Sequence, residues 1–252
     1  MEDFTTGAIN RKKLEHVKRF NDTYHNEAIV AKAGIVDKSW ADRLMLGFTY
    51  SHMYKEVQTG VRQEIVYGAK HRHGSSLLPS LEYSKRNLVL KGLDVSLNAN
   101  YNRNTTTNVD TSSVKYNWHG ATAPLNSPGE QSYQNSKAIN NNWTATATAN
   151  YRVSAHHVVT FNNIFNTFNR NNEDLLTTPH GKDEFSKVTS KNIAGLSYRY
   201  MPDTRFNITA FGKHYHQYVS GPMATSSAQD QFELTSRSLD YFGYGAAGTW
   251  FM

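Results

Sequence analysis

The sequence predicts an all-β fold: an antiparallel transmembrane β-barrel segment of nine strands, with short turns at one end and long loops at the other. Three observations predict it. First, one alternating pattern is written twice. In Gly92–Tyr101, residues Leu93, Val95, Leu97, Ala99 and Tyr101 share one face, and Asp94, Ser96, Asn98 and Asn100 share the other. In Asn142–Tyr151, residues Trp143, Ala145, Ala147, Ala149 and Tyr151 oppose Thr144, Thr146, Thr148 and Asn150. A period of two is the signature of a strand, whose successive side chains leave opposite faces of the pleat. The apolar face is aliphatic or small in the middle and aromatic at one or both ends. That is the order expected of a strand crossing a bilayer, with the polar face toward a watery lumen. Second, the connections alternate in length along the chain. Third, mean hydropathy is −0.64, and no stretch approaches the roughly 20 apolar residues that a spanning helix needs. A barrel strand escapes that requirement because every second residue meets lipid.

Each strand follows from its own residues. Residues 1–26 form a polar leading segment, a loop with one short helix where Leu14, Val17 and Phe20 fall at helical spacing. Residues 27–252 form the partial barrel. The first strand covers Glu27 to Val36 and turns at Asp37–Asp42. The second rises through Leu44, Leu46, Phe48 and Tyr50, and a polar stretch follows from Glu56 to Gly74. The third carries Leu77, Leu81 and Tyr83, with Pro79 inside it. A proline removes a ladder donor, so an edge or a bulge is expected there. Lys85–Lys91 lead to the fourth strand, Gly92–Tyr101. The polar insert from Asn102 to Asn140 precedes the fifth, which ends at Arg152. Val153–His156 connect to the sixth strand, which carries Val159, Phe161 and Phe165. A polar loop runs on to Lys187. The seventh carries Ala194, Leu196, Tyr198 and Tyr200 and turns at Met201–Thr204. The eighth starts with Phe206, Ile208 and Ala210; Phe211 and Tyr215 then fall out of step, which predicts a bulge near Gly212. After a loop with Gly221-Pro222, the ninth carries Phe242, Tyr244, Ala246, Trp250 and Met252. Short connections follow strands one, three, five and seven, and long ones follow two, four, six and eight. Outer-membrane barrels have that asymmetry.

The net charge of +6 would suit nucleic acid, but the basic residues gather in connections such as Arg11–Lys13, Lys70–Arg72 and Lys85-Arg86. No basic stripe interleaved with stacking aromatics marks a strand, so no nucleic-acid partner is expected. The absence of cysteine excludes disulfide staples and thiolate metal sites. Met1-Glu-Asp-Phe-Thr-Thr offers neither the basic nor the apolar region of an export leader.

Candidate chemistry is thin. His71 with His73, and His214 with His216, are spaced to share a strand face, but no third ligand recurs with them. Ser112-Ser-Val-Lys115 matches the acylating serine pattern of penicillin-binding enzymes; its companion motifs are missing and it sits in a polar loop. Tyr116, Trp118 and Tyr133 lie in the longest loop, suited equally to stacking on a ligand and to packing against neighbouring loops. No catalytic residue, metal or cofactor is expected.

Five segments, in order, resemble the barrel of TonB-dependent outer-membrane receptors of the Bacteroidetes kind: His25-Asn-Glu-Ala28; Ala41-Asp-Arg-Leu44 followed by Gln58-Thr-Gly60; Pro79-Ser-Leu-Glu-Tyr83; Val109-Asp-Thr-Ser112 with Lys115-Tyr-Asn-Trp118; and Gly243-Tyr-Gly-Ala-Ala247. That resemblance implies a barrel of about 22 strands closed by a plug, importing a scarce nutrient with energy transmitted through TonB. Nine strands, with no plug and no TonB-contacting segment, make the chain an expected internal piece of such a receptor. The implied partners are outer-membrane lipid, the remaining strands and plug, TonB through that plug, and a small nutrient ligand: an iron chelate, cobalamin, a peptide or a glycan. The implied location is the outer membrane of a Gram-negative bacterium. Leu93, Val95, Leu97, Ala99, Trp143, Ala145, Ala147 and Ala149 are expected to face lipid, and Asp94, Ser96, Asn98, Thr144, Thr146 and Thr148 the lumen. The competing reading is a soluble all-β carbohydrate-binding or adhesive module, in which the apolar faces would form an internal core. A complete eight-stranded barrel with one stray strand fits less well, because no closing strand ends in the usual terminal aromatic.

Overall fold

Alternation of side chains over long stretches builds one antiparallel sheet. In the computed structural model, which describes residues 16–176, 181–182, 186–224 and 232–250, the strands are β1 (Tyr24–Lys38), β2 (Ala41–Glu56), β3 (His71–Lys85), β4 (Leu93–Asp110), β5 (Val114–Tyr116), β6 (Thr122–Pro124), β7 (Gln134–Arg152), β8 (His157–Asp174), β9 (Gly181–Lys182), β10 (Lys187–Tyr200), β11 (Phe206–Ala224) and β12 (Phe232–Trp250). Nine of them lie side by side in chain order, β1-β2-β3-β4-β7-β8-β10-β11-β12, with the short β9 beside β8 and β5-β6 forming a separate small hairpin. Every pairing is antiparallel. The sheet is open: β1 and β12 are its edges.

The main strands run for 14 to 19 residues, against a usual length of about 5–6 in globular proteins. Their ends also differ from the sequence expectation. β4 continues to Asp110 and β7 begins at Gln134, so much of the supposed insert from Asn102 to Asn140 is paired strand, with Asn102 opposite Asn142 and Asp110 opposite Gln134. Both faces are polar there, so no alternation marks it. The connections at one end are residues 39–40, 86–92, 153–156 and 201–205; at the other they are 57–70, 111–133, 175–186 and 225–231. The length asymmetry holds for the first three long loops. It fails for the last, because β11 runs on to Ala224 and leaves a link no longer than 86–92.

Two expected irregularities are absent. Pro79 lies in an interior strand with one register on either side of it, Leu77 opposite Arg103 and Ser80 opposite Asn100; the ladder to β4 omits Leu78 and Pro79 without a bulge. β11 likewise pairs in an unbroken register through Gly212, opposite Leu196 on one side and Tyr244 on the other. Phe211 and Tyr215 therefore point to the opposite face from Ile208. They are on that face because side chains alternate, not because the strand slips. The expected helix around Leu14–Phe20 is absent over residues 16–20, which are irregular; Leu14, Arg11–Lys13 and Met252 lie outside the described residues.

The sheet is a single layer. Among the described residues, the buried hydrophobic side chains are Ala41, Val66 and Tyr67. The accessible surface of 17112 Å² compares with about 11,000 Å² for a compact soluble protein of this mass. What core exists is a polar knot at the long-loop end. Gln58 and Asp110 are each 1% exposed. Gln58 Oε1 accepts the amides of Phe20 (2.8 Å) and Asn21 (2.7 Å), and Asn21 Nδ2 donates to the carbonyls of Val57, Tyr67 and Lys70. The Asp110 carboxylate accepts the amides of Glu130, Gln131 and Ser132 at 2.6–3.0 Å. Glu130 in turn accepts those of Gly68, Ala69 and Lys70 at 2.6–2.9 Å. Lys70 Nζ lies 3.9 Å from Asp110. Burial raises the Tyr67 phenol above its ordinary pKa, and the charges of Asp110 and Glu130 push the same way. Asp110 fastens loop 111–133 to the end of β4 and Glu130 fastens that loop to 57–70, while Gln58 and Asn21 tie loop 57–70 to the leading segment.

Asp110→Ala leaves three amides without an acceptor, and a buried donor deprived of its partner costs about 1–3 kcal/mol. Amide hydrogen exchange at residues 130–132 is expected to rise sharply in this variant, with exchange in the β1–β2 hairpin unchanged. Equal protection in variant and parent would show that the carboxylate does not hold the loop.

Candidate functional site

The register decides which side chains share a face, since residues directly opposite in an antiparallel pair point the same way. Leu93, Val95, Leu97, Ala99 and Tyr101 of β4 lie opposite Tyr151, Ala149, Ala147, Ala145 and Trp143 of β7. The two alternating segments thus form one apolar patch, with Tyr101 and Trp143 in ring contact at 4.9 Å. The patch is continuous with its neighbours. Toward β1 it meets Leu81 and Tyr83, then Leu44, Leu46 and Phe48, then Ala31, Ala33 and Ile35. Toward β12 it meets Phe161 and Phe165, then Leu196 and Tyr198, then Ile208 and Ala210, then Ala246 and Trp250. No second layer covers this belt. Leu46 is 59% exposed, Trp143 49% and Tyr244 92%.

The belt has limits along the strands. From the Tyr101–Trp143 pair to the Leu93–Tyr151 pair is eight residues on each strand, about 27 Å at about 3.4 Å per residue. Beyond Tyr101 and Trp143 the same face turns polar, with Arg103, Thr105 and Thr107 opposite Asn141, Ile139 and Lys137. The same change occurs at His52 on β2, at Asn192 on β10 and at His214 on β11. Asn163 is a polar side chain within the belt, and its Nδ2 donates to Asn192 Oδ1 at 3.1 Å.

The opposite face gathers Asp94, Ser96 and Asn98 opposite Asn150, Thr148 and Thr146, with Asn100 opposite Thr144. Side chains there are joined across strands. Thr148 donates to Asn162 (2.9 Å), Thr160 to Asn150 (2.8 Å), and Asn166 to Thr144 (2.9 Å). Asp94 accepts the amide of Asn87 at 3.1 Å. On the β1–β3 side Glu82 holds Lys32 at 2.6 Å and Arg43 at 2.8 Å. Apolar residues also occur on this face: Ile164 stands opposite Ile193, and Tyr215 stacks with Tyr241 at 4.5 Å.

The remaining candidates divide. His71 and His73 share a face, their rings 6.2 Å apart. His214 Nε2 and His216 Nδ1 both contact Asp240 Oδ1, at 3.1 and 2.7 Å. Among the described residues no group of three or more His, Asp or Glu side chains is arranged to hold a metal ion. Ser112 is engaged with the backbone of Val114, in a loop. Trp118 Nε1 donates to the Gln63 carbonyl at 3.1 Å, and Tyr116 packs 6.1 Å from the Phe20 ring; both join loops together, while Tyr133 is exposed. The basic residues do not gather in connections as expected: Arg72 and Lys85 lie within β3, and Arg170, Lys187, Lys191, Lys213 and Arg237 also lie inside strands. Their signal in the sequence was faint because the strands that carry them extend well past the alternating stretches. Among the described residues no helix is long and apolar enough to cross a membrane. No protein-family model matches the chain, and neither a curated protein nor a solved structure matches it.

Proposed function

We propose that this sheet is part of the wall of a TonB-dependent outer-membrane receptor, through which a scarce nutrient enters a Gram-negative cell. The observation that carries the reading is the uncovered apolar belt on one face, set against a hydrogen-bonded Asn/Thr face on the other. A soluble carbohydrate-binding or adhesive module would have to bury that belt, at about 25 cal/mol per Å² of apolar surface, and the single-layer sheet buries almost none of it. A bilayer covers it without a second layer. The height of the belt is of the order of the apolar band of outer-membrane barrels, about 25 Å. The strands exceed the 9–11 residues needed to cross, and the excess projects at the long-loop end, where the polar knot sits. The five segments that resemble the receptor family supply the rest: the wall takes no catalytic part, and closure by a plug and energy from TonB belong to other parts of the receptor.

In this reading Leu93, Val95, Leu97, Ala99, Trp143, Ala145, Ala147 and Ala149 meet lipid, and Asp94, Ser96, Asn98, Thr144, Thr146 and Thr148 line the lumen. With Trp40, Trp118 and Trp250 replaced by phenylalanine, Trp143 fluorescence in liposomes is expected to be strongly quenched by brominated lipid. An unquenched Trp143 in the folded chain would return the belt to a soluble role.

Face assignment is tested by a neighbouring pair. Ala147 lies mid-belt and Thr146 one residue away on the other face. An arginine on the lipid side at the midplane costs about 2–4 kcal/mol, whereas one facing water costs little. Ala147→Arg is therefore expected to cut the yield of membrane-assembled protein, and Thr146→Arg to leave it near the parent level. Equal yields would mean the outward assignment is wrong.

A further inference from the structure

Lys187, Lys191 and Arg199 stand on the polar face of β10 at four-residue steps, and the position that breaks the series is Gly195. Directly across from Gly195 is Lys213 of β11, which puts a cation in the missing place. A four-residue step is about 13 Å, so positive charge recurs at that interval from the long-loop end of the sheet to the short-turn end. Arg170 and Arg237 flank the series at the long-loop end. Lys187 is directly opposite Arg170, whose Nε donates to Asn172 Oδ1 at 3.1 Å, and like charges so placed destabilise a sheet. Arg170, Lys187, Lys191, Lys213 and Arg237 are exposed, and among the described residues none has an acidic partner. The polar face of β8 from 158 to 172, of β10, of β11 from 207 to 221 and of β12 from 235 to 249 carries no Asp or Glu. On the β1–β3 side, by contrast, one glutamate holds Lys32 and Arg43.

Two hollows open on this same face beside the charges. One, of ≈ 460 Å³, is lined by Asn162, Ile164, Ile193, Gly195, Phe211 and Lys213 among others, with Lys213 Nζ 5.7 Å from the Phe211 ring centre. The other, of ≈ 370 Å³, is lined by Phe168, Lys187, Thr189, Val219 and Arg237 among others. Each joins an aromatic ring to at least one cation, and each has the size of a small-molecule site, about 300–1,000 Å³.

We propose that the polar face of β8–β12 is a stepped track for a small organic polyanion that carries a flat ring. The ring rests on Phe211 or Phe168, and the carboxylate or sulfonate groups are passed between Lys187, Lys191, Lys213 and Arg199. The assignment of this face to a transport lumen rests on the function proposed above, while the binding itself does not.

The probe is hydroxypyrene trisulfonate, a ring with three fixed anions, titrated by fluorescence anisotropy against the whole chain in non-ionic detergent. The parent chain is expected to bind it with an affinity that falls as salt screens the charges. The Lys191→Gln/Lys213→Gln double variant is expected to bind at least about tenfold more weakly, a loss of about 1.4 kcal/mol. Lys32→Gln removes a lysine already held by Glu82 and is expected to stay within about twofold, as an exposed pair contributes little. Strand content by circular dichroism checks that each variant folds; if the double variant does not, Lys187→Gln/Arg237→Gln at the second hollow carries the same expectation. No binding by the parent, an unchanged double variant, or an equal loss in Lys32→Gln would overturn the track. Quenching of Trp143 by brominated lipid, measured on the same preparation, separates the two readings. Anion binding without quenching keeps the track and removes the membrane wall, and quenching without anion binding does the reverse.

Discussion

One unbroken antiparallel register across nine strands is the constraint on which the rest of the molecule depends. Because side chains alternate along every strand, a slip of one residue in any pair would turn that strand's Asn and Thr set onto the apolar side and its Leu, Phe and Ala set onto the polar side. No such slip occurs, even at Pro79, where the ladder loses pairs but keeps its register, or at Gly212, where the alternation of residue types breaks while pairing continues. The two faces are therefore properties of the whole sheet. Ala147 faces its surroundings beside Leu97 because the register puts it there; alanine alone has no such preference.

The register also separates two kinds of stability. Along the belt, neighbouring strands are held by backbone ladders and by small or aromatic contacts such as Tyr101 against Trp143, which leave the apolar face to be covered from outside. At the long-loop end both faces of the strands are largely polar, and little apolar surface is available to pack beyond Val66, Tyr67 and the Phe20–Tyr116 contact. There the chain relies on buried acceptors: Asp110 and Glu130 each gather three backbone amides, and Gln58 gathers two more. Carboxylates suit that task, because hydrogen bonds to a charged acceptor are stronger than neutral ones. The knot fixes where loops 57–70 and 111–133 leave the sheet.

The nine strands and their order were legible in the sequence wherever one face was apolar. Leu93 to Tyr101 and Trp143 to Tyr151 show their alternation residue by residue, and the register pairs them. Legibility ended where the chemistry of the two faces became alike. Asn102–Asp110 and Gln134–Asn142 have polar residues on both sides, so a strand there looks like a loop until its partner is known. β11 misled for the opposite reason. Phe211 and Tyr215 are aromatics on the polar face, and a period reading that assigns every aromatic to the apolar side must invent a bulge to accommodate them. The knot was invisible for a third reason: Gln58, Asp110 and Glu130 are separated by tens of residues, and each looks like an ordinary loop polar group on its own. The cation series was half visible, as Lys187, Lys191 and Arg199 show their spacing in one strand. Its third member comes from the adjacent strand, and only the register supplies it.

β1 and β12 each present a row of ladder donors and acceptors on one side. In water such an edge is tolerated or recruits another strand. In hydrocarbon each unsatisfied group costs several kcal/mol, which is why spanning sheets close. The belt and the edges thus make a joint demand: a medium that covers an apolar face of this height also forbids the edges to stay bare. In the proposed wall the sheet would adjoin further strands along Tyr24–Lys38 and Phe232–Trp250, curving until the Asn/Thr face and the cation series were enclosed. Enclosure changes the electrostatics of that face. Charges such as Lys191 and Lys213, well screened on an open sheet, would act in a narrow space with low-dielectric walls, where a lining of one sign focuses its field on the ligand. Strand pairing, lipid contact and anion selectivity would then all follow from the single register that sorted the two faces.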